Sequence, residues 1–353
     1  VSMNDEVLHS KSNNFLASVS FGKKNLGVAF LDVSTGEFLT AQGNEEYIDK
    51  LLQNFNPSEI LVPKVNKGDF KTTFGEDFHV FYLEDWIYKE EYAFELLTNH
   101  FQTNSLKGFG IEELQEGIIA SGAALYYLSE TQHNKIQHIS ILQRIAEDAY
   151  VWMDRFTIRN LELYHSYNPN AVTLLDVIDK TISPMGSRLL KRWLALPLKD
   201  MKAIQKRHQV VTYLKENKDL LKNIQYQIKQ ISDLERLISK IAAGKVSTRE
   251  VIYLKDSLDA IIPIKKIALE SKNEAVKIIG DSLHSCDLLR EKIKITLNQD
   301  APVALAKGNA IAKGVNEELD ELRAISTSGK DYLEGIEKRE SEKTGITSLK
   351  IAF

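Results

Sequence analysis

The sequence predicts a multi-domain chain: an α/β domain built on a mixed sheet, then an all-α domain that closes with one long helix. Three observations carry this. Between residues 14 and 62, short β-rich runs alternate with turns and a single helical pattern. From Ile139 onward the apolar spacing becomes almost entirely helical. At 353 residues, the chain exceeds what one ordinary core holds.

The first three runs, 14–21, 26–32 and 37–41, are β-rich, and Gly22-Lys23-Lys24-Asn25 and Ser34-Thr35-Gly36 separate them as hairpin turns. Residues 45–55 follow the helical period, with Tyr47, Ile48, Leu51, Leu52 and Phe55 on one side, and Pro57 closes the helix. Ile60-Leu61-Val62 and 78–83 read as strands, and helices at about 86–101 and 111–129 follow. The order β-β-β-α-β is ribonuclease-H-like. A nuclease of that architecture needs carboxylates on adjacent strand ends to hold two divalent metals. The first strand offers none, and Asp32 precedes the turn V-S-T-G, where an aspartate serves as a cap. The sequence therefore argues against metal-dependent cleavage.

Past a polar stretch at 131–138, the expected linker, helices are expected at roughly 171–179, 184–196, 200–216, 218–241, 247–270 and 273–297. The longest pattern runs from Val315 to about Lys343, with Val315, Leu319, Leu322, Leu333 and Ile336 in a four-three alternation that Ser326 and Gly329 weaken. It would span about 40 Å. Two readings fit it, a strut between distant parts or an ordinary bundle helix. Within this half one stretch stands out, S-P-M-G-S-R-L-L-K-R-W-L-A-L-P-L at 183–198. Ser183 reads as its N-cap, Pro184 as its first residue and Pro197 as its stop. Met185, Leu189, Leu190, Trp193, Leu194 and Leu196 share a face, so this helix is expected to be a buried hub. Arg188, Lys191 and Arg192 lie on the other side.

A net charge of −4 provides no global pull toward nucleic acid, so any DNA contact must be local. The single cysteine, Cys286, excludes a disulfide framework and suits a reducing compartment. No apolar run approaches a membrane span and no signal pattern opens the chain, so a cytoplasmic location is expected. The opening V-S-M-N-D and the closing S-L-K-I-A-F, a strand without a partner, read as cut ends of a longer protein.

No G-x-x-x-x-G-K-[ST] phosphate loop occurs, and Gly108-Phe109-Gly110 reads as a tight turn before a helix. His133 and His138 sit five apart in the polar stretch, and no serine stands in G-x-S-x-G. No catalytic set, metal site or cofactor site emerges. One local charge excess spans 180–207, where Lys180, Arg188, Lys191, Arg192, Lys199, Lys202, Lys206 and Arg207 face only Asp200. Arg188, Lys191 and Arg192 are candidates for phosphate contacts, which makes an autonomous duplex-DNA-binding module the alternative function. The other reading is a solvated face, or one docking an acidic helix such as that around 317–321. Trp193, the only aromatic there, falls on the apolar face and offers no base stacking.

Three ordered stretches resemble the signatures of the MutS family of DNA mismatch-repair proteins. They are Met153-Asp154 with Thr157, Arg159 and N-L-E-L at 160–163, then L-L-D-V-I-D-K-T-I-S-P-M-G-S-R-L-L-K-R-W-L-A-L-P-L at 174–198. The third is E-E-L-D-E-L-R at 317–323, with G-K-D-Y-L at 329–333 and E-K-T-G-I-T-S-L-K at 342–350. D-V-S-T-G-E-F at 32–38 and N-P-S-E-I-L at 56–61 are similar to the family's connector domain. One departure is Val315, where relatives often carry Tyr. The resemblance implies a linker remnant at 1–13 and a non-catalytic, ribonuclease-H-like connector at 14–130. A linker at 131–138, a helical core domain with a long lever helix at 139–348 and the start of a clamp at 349–353 would follow.

The resemblance further implies a parent protein that binds mispaired duplex DNA, hydrolyses ATP with Mg and recruits MutL. This piece, itself not an enzyme, would transmit between reader, clamp and ATPase. The family's mismatch-reading motif G-x-F-[YF]-E is absent, and Phe74-Gly75-Glu76, preceded by Thr73, reads as a turn. A second copy of the parent would pair mainly through parts outside these residues. MutL would dock partly through the connector, with Glu95, Leu96 and Phe101 around L-L-T-N-H-F as candidates. Ordinary surface for Glu95, and core for Leu96 and Phe101, is the other reading.

Overall fold

Alternating side chains along the first strands bury both faces of one sheet. In the computed structural model, which describes residues 8–131, 135–164, 166, 168, 170–346 and 348, six strands form this sheet. They are β1 (Leu16–Phe21), β2 (Leu26–Asp32), β3 (Glu37–Gly43), β4 (Glu59–Pro63), β5 (Val80–Leu83) and β6 (Gln143–Arg144), in spatial order β5-β4-β1-β2-β3-β6. The hairpin pairs β1–β2 and β2–β3 are antiparallel, and β1–β4, β4–β5 and β3–β6 are parallel. This mixed sheet is the ribonuclease-H-like arrangement that the element order predicts.

Leu16, Ala29, Leu31, Phe38 and Leu61 enter one core with helices α3 (Glu90–Phe101) and α4 (Gln115–Thr131). Ala17, Val19, Val28, Phe30, Leu39 and Ile60 enter a second core with α1 (Glu45–Phe55) and α2 (Lys67–Phe74). There Phe30 stacks on Phe55 at 4.4 Å, and Phe15 meets Phe55 edge-on at 5.4 Å. Helix α4 is buried on nearly every side from Gly117 to Leu125, because small residues let it close on its neighbours. Gly27 of β2 permits the approach: a Cβ there would lie 2.0 Å from the Glu116 carbonyl oxygen.

The residues after the expected linker do not begin a helix. Ile136, Ile139 and Leu142 are buried in the first core, and Ile145 in the second. Between them β6 pairs with Leu39 and Thr40, the Ile145 amide donates to the Thr40 carbonyl at 2.8 Å, and the Tyr47 hydroxyl donates to the Ile145 carbonyl at 3.2 Å. The open edge of β3 offers this segment backbone partners, which outweigh a weak helical pattern.

The helical part comprises α5 (Arg155–Asn160), α6 (Leu174–Ile178), α7 (Pro184–Ala195), α8 (Met201–Glu216), α9 (Lys218–Ile228) and α10 (Leu234–Ala242). It continues with α11 (Thr248–Leu269), α12 (Glu274–Ser282), α13 (Asp287–Thr296) and α14 (Glu317–Thr344). The single helix expected over 218–241 is broken because Asp233 caps α10, and that expected over 273–297 breaks where Cys286 turns left-handed, φ 48°.

By contacts the chain forms two units, one of residues 1–246 with 256–285 and one of 247–255 with 286–353. In the second, the Asn298 amide donates to the carbonyls of Asn309 and Ile311, and Ile252, Ala301 and Ala310 form a small core. Asn316 caps α14 and left-handed Gly345 ends it; its 28 residues span about 42 Å. The expected start of a clamp at 349–353 lies outside the described residues. Among the described residues no helix is long and apolar enough to cross a membrane, and no three His, Cys, Asp or Glu side chains gather as a metal site.

Candidate coupling junction

Helix α7 starts as its sequence dictates, with the Ser183 hydroxyl accepting from the Gly186 amide at 3.1 Å and Pro184 in the first turn. Its burial follows the expected face only in part: Leu196 is buried and Met185, Leu190 and Leu194 are half-buried. Ser187, Arg188 and Ala195 are buried, whereas Leu189 and Trp193 are 44% and 41% exposed. The reason is electrostatic. Arg188, 4% exposed, forks onto Asp233 with Nη1 to Oδ2 at 2.8 Å and Nη2 to Oδ1 at 2.7 Å. Its Nε and Nη2 also reach Glu235 at 3.2 and 2.6 Å, and Nη1 donates to the Ser10 carbonyl at 2.8 Å. A planar guanidinium with five donors suits a buried site of this kind, provided every donor is used.

Around that centre the arm leading into β1 and the β2–β3 turn are fastened to α7 and α10. Arg236 Nη2 donates to the carbonyls of His9 and Ser12 at 2.8 and 3.0 Å. The Ser239 hydroxyl donates to the Ser34 carbonyl at 2.8 Å, both residues buried. Asp32, wholly buried, accepts from the Ser34 amide and hydroxyl and from the Asn13 side chain, so it is the turn cap its position suggests. Arg192 pairs with Glu37, which also accepts from Asn13 at 3.1 Å. Beyond α7 the chain returns to the same neighbourhood: the Val151 amide donates to Pro197 and the Lys199 amide to Ala149.

The sequence-derived site residues separate accordingly. Arg188 and Arg192 are engaged by acids within the chain, and Lys191 lies over the Tyr164 ring at 5.8 Å. Arg207 stacks on Trp193 at 3.6 Å, while Lys180, Lys199, Lys202 and Lys206 are exposed. The excess of charge seen in sequence is thus not one face; the acids Arg188 meets are Asp233 and Glu235, 45 and 47 residues away. On α3, Glu95 is exposed, whereas Leu96 and Phe101 pack against the first core, Phe101 with Phe109 at 4.7 Å. Sequence reasoning missed Glu37, Asp233, Glu235 and Arg236. The signal available was S-D-L-E-R at 232–236, an N-cap aspartate opening a helix with acids in its first turn.

Glu37 makes the junction pH-dependent. Burial pushes its carboxyl up to about 7; Arg192 opposes the rise, Asp32 and Glu235 add to it, and the Asn13 hydrogen bond opposes it. An unfolded glutamate titrates near 4.5, so the folded chain holds this proton more tightly. The corresponding stability is fully present below pH 4.5 and is lost as pH rises through about 7. With partly exposed Arg192 screening the charge, we expect the loss to be about 2 kcal/mol. Urea unfolding of the wild type and E37Q between pH 4.5 and 8 checks this: E37Q should flatten that part of the profile, and equal slopes would refute it.

Family comparisons agree with the sequence motifs. The model described as MutS domain II matches residues 14–140, and MutS domain III matches 156–349. DNA mismatch repair protein MutS of Flavobacterium johnsoniae is 82% identical over all 353 residues, and that of Flavobacterium psychrophilum is 79% identical over the same length. MutS of Christiangramia forsetii is 68% identical over 351 residues, 99% of this chain. The chain spans 41% of the two Flavobacterium relatives and 40% of the third.

Proposed function

The chain belongs to the MutS family of DNA mismatch-repair proteins, and from that premise we propose that it is the connector and core scaffold of a protein that binds mispaired duplex DNA, hydrolyses ATP and recruits MutL. In this reading the connector begins at 14 and takes in the stretch to Ile145 that packs and pairs with its sheet, rather than ending at 130. The core follows and runs to 348, and the piece itself catalyses nothing. ATP and Mg would be held by an ATPase domain beyond these residues, and a second subunit would pair mainly through parts outside them. MutL would meet the connector around exposed Glu95, with Leu96 and Phe101 shaping the surface from below. The protein would work in the cytoplasm.

One observation supports the transmitting role above others: the Arg192–Glu37 pair and the Ser239–Ser34 hydrogen bond fasten the β2–β3 hairpin of the domain II match to helices α7 and α10 of the domain III match. Polar contacts largely shielded from water resist sliding, so displacement of one part is passed to the other as rigid-body motion. The rival reading, a duplex-binding module on 180–207, is weakened because its central arginines are neutralised within the chain.

Placing R192Q in the full-length protein tests the role. Mismatch affinity and basal ATP hydrolysis should persist, while the mismatch-dependent change in nucleotide exchange should fall about fivefold or more, the scale of one coupling free energy. An unchanged mismatch response would refute the role.

A further inference from the structure

The C-terminal turn of α1 and the start of the helical part enclose a cleft that the coupling reading does not use. Gln53, Asn54 and Asn56 line it from one side, and Arg159, Tyr164 and Lys191 from the other. Its volume is about 190 Å³. Two cations and no carboxylate contribute to its lining.

Three polar groups converge there: Asn54, the Tyr164 hydroxyl and the Lys191 ammonium. Asn54 is 6% exposed, and its amide nitrogen donates to the carbonyls of Lys50 at 2.7 Å and Met153 at 3.4 Å. That leaves its buried Oδ1 with no donor among the described residues. The buried Tyr164 hydroxyl likewise has no partner there, and burial pushes its pKa up. Half-buried Lys191 lies over the Tyr164 ring, and burial alone pushes its pKa down, with no acid opposing. A native chain rarely leaves a buried acceptor, a buried hydroxyl and an uncompensated ammonium together unless something else satisfies them.

The donor set defines what fits. Lys191 and the Tyr164 hydroxyl offer charge and a donor to an anion, while Asn54 Oδ1 only accepts, so the ligand must bring a donor of its own, such as a hydroxyl. The Lys191 ammonium beside the Tyr164 hydroxyl suits a phosphate monoester, which is an anion rich in acceptors at neutral pH. We propose that this cleft binds a small phosphate monoester, its phosphate on Lys191 and Tyr164 and a hydroxyl of its organic part on Asn54. Because the ligand would touch α1 and α7 at once, its binding would tie the two parts of the unit together.

Calorimetric titration of this chain at constant ionic strength tests the site, with ribose 5-phosphate, inorganic phosphate and ribose as parallel probes. Ribose 5-phosphate should bind, inorganic phosphate more weakly, and ribose not at all. K191M should weaken ribose 5-phosphate about tenfold or more, the loss of one charge-assisted contact. Y164F keeps the ring and its packing, so it carries the test if K191M lowers the stability of the fold; it too should weaken binding. Absence of ribose 5-phosphate binding, equal affinity for ribose, equal affinity for inorganic phosphate, or an affinity untouched by both substitutions would overturn the proposal.

Discussion

Replacing Arg188 with methionine should destabilise this chain by about 3 kcal/mol, the lower end of the cost of breaking a buried ion pair from one side. The guanidinium itself is almost fully buried, so methionine fills much of its space and the apolar stem is not lost. What remains is the cost of the partners. Asp233 keeps only 17% of its side chain exposed and would be left with the longer ion contact to Arg236 at 3.9 Å, and the Ser10 carbonyl would lose its Arg188 donor. Glu235 is 47% exposed and can be rehydrated, which is why the lower end applies. For the same reason E235Q should cost less than about 1 kcal/mol. Lysine at 188 keeps a charge but cannot form the fork, so R188K should fall between. Urea unfolding followed by far-UV circular dichroism decides the matter. An R188M loss no larger than that of E235Q would mean that the network is hydrated rather than buried.

Gly27→Ala should cost about 3 kcal/mol, at the upper end of overpacking effects, because the colliding atoms are backbone. The added Cβ would lie 2.0 Å from the Glu116 carbonyl oxygen and 2.5 Å from the Gly117 nitrogen. Helix α4 cannot recede freely. The Gln42 side chain accepts from the Glu116 amide at 2.7 Å, and the Thr40 hydroxyl donates to the Gly117 carbonyl at 3.0 Å, so retreat would break the polar contacts that seat the helix on β3. Gly68, on the exposed side of α2 with nothing within 4 Å of a Cβ, is the control. G68A should gain up to about 1 kcal/mol from helix propensity. Thermal melts of the two variants should move in opposite directions; a neutral G27A would show that β2 and α4 yield at little cost.

Much of the α/β part was legible because its signals are local. The turns around Gly22 and Ser34, the alternation in β1 to β3, the stripe of α1 and the capping role of Asp32 each follow from a few adjacent residues. The family was legible for the same reason, from contiguous motifs. What escaped depends on residues far apart. An apolar stripe shows which face of α7 prefers burial, but what covers that helix is set by Asp233 and Glu235, and so Arg188 is inside while Leu189 and Trp193 stand exposed. The 139–145 segment has an ambiguous period, and only the open edge of β3 decides it. Asn54, Tyr164 and Lys191 carry no shared motif, since their convergence is a property of the fold.

The closing of the sheet by β6 has a consequence for how the protein is made. Tyr47 and its partner Ile145 are 98 residues apart, and chains emerge from the ribosome at roughly 5–20 residues per second. For roughly 5–20 s the N-terminal hairpins therefore exist with the outer backbone groups of β3 unpaired, an edge that any other extended segment can join. The window ends only once residues of the following domain's threshold have been synthesised, so birth of the connector is timed by the chain that comes after it.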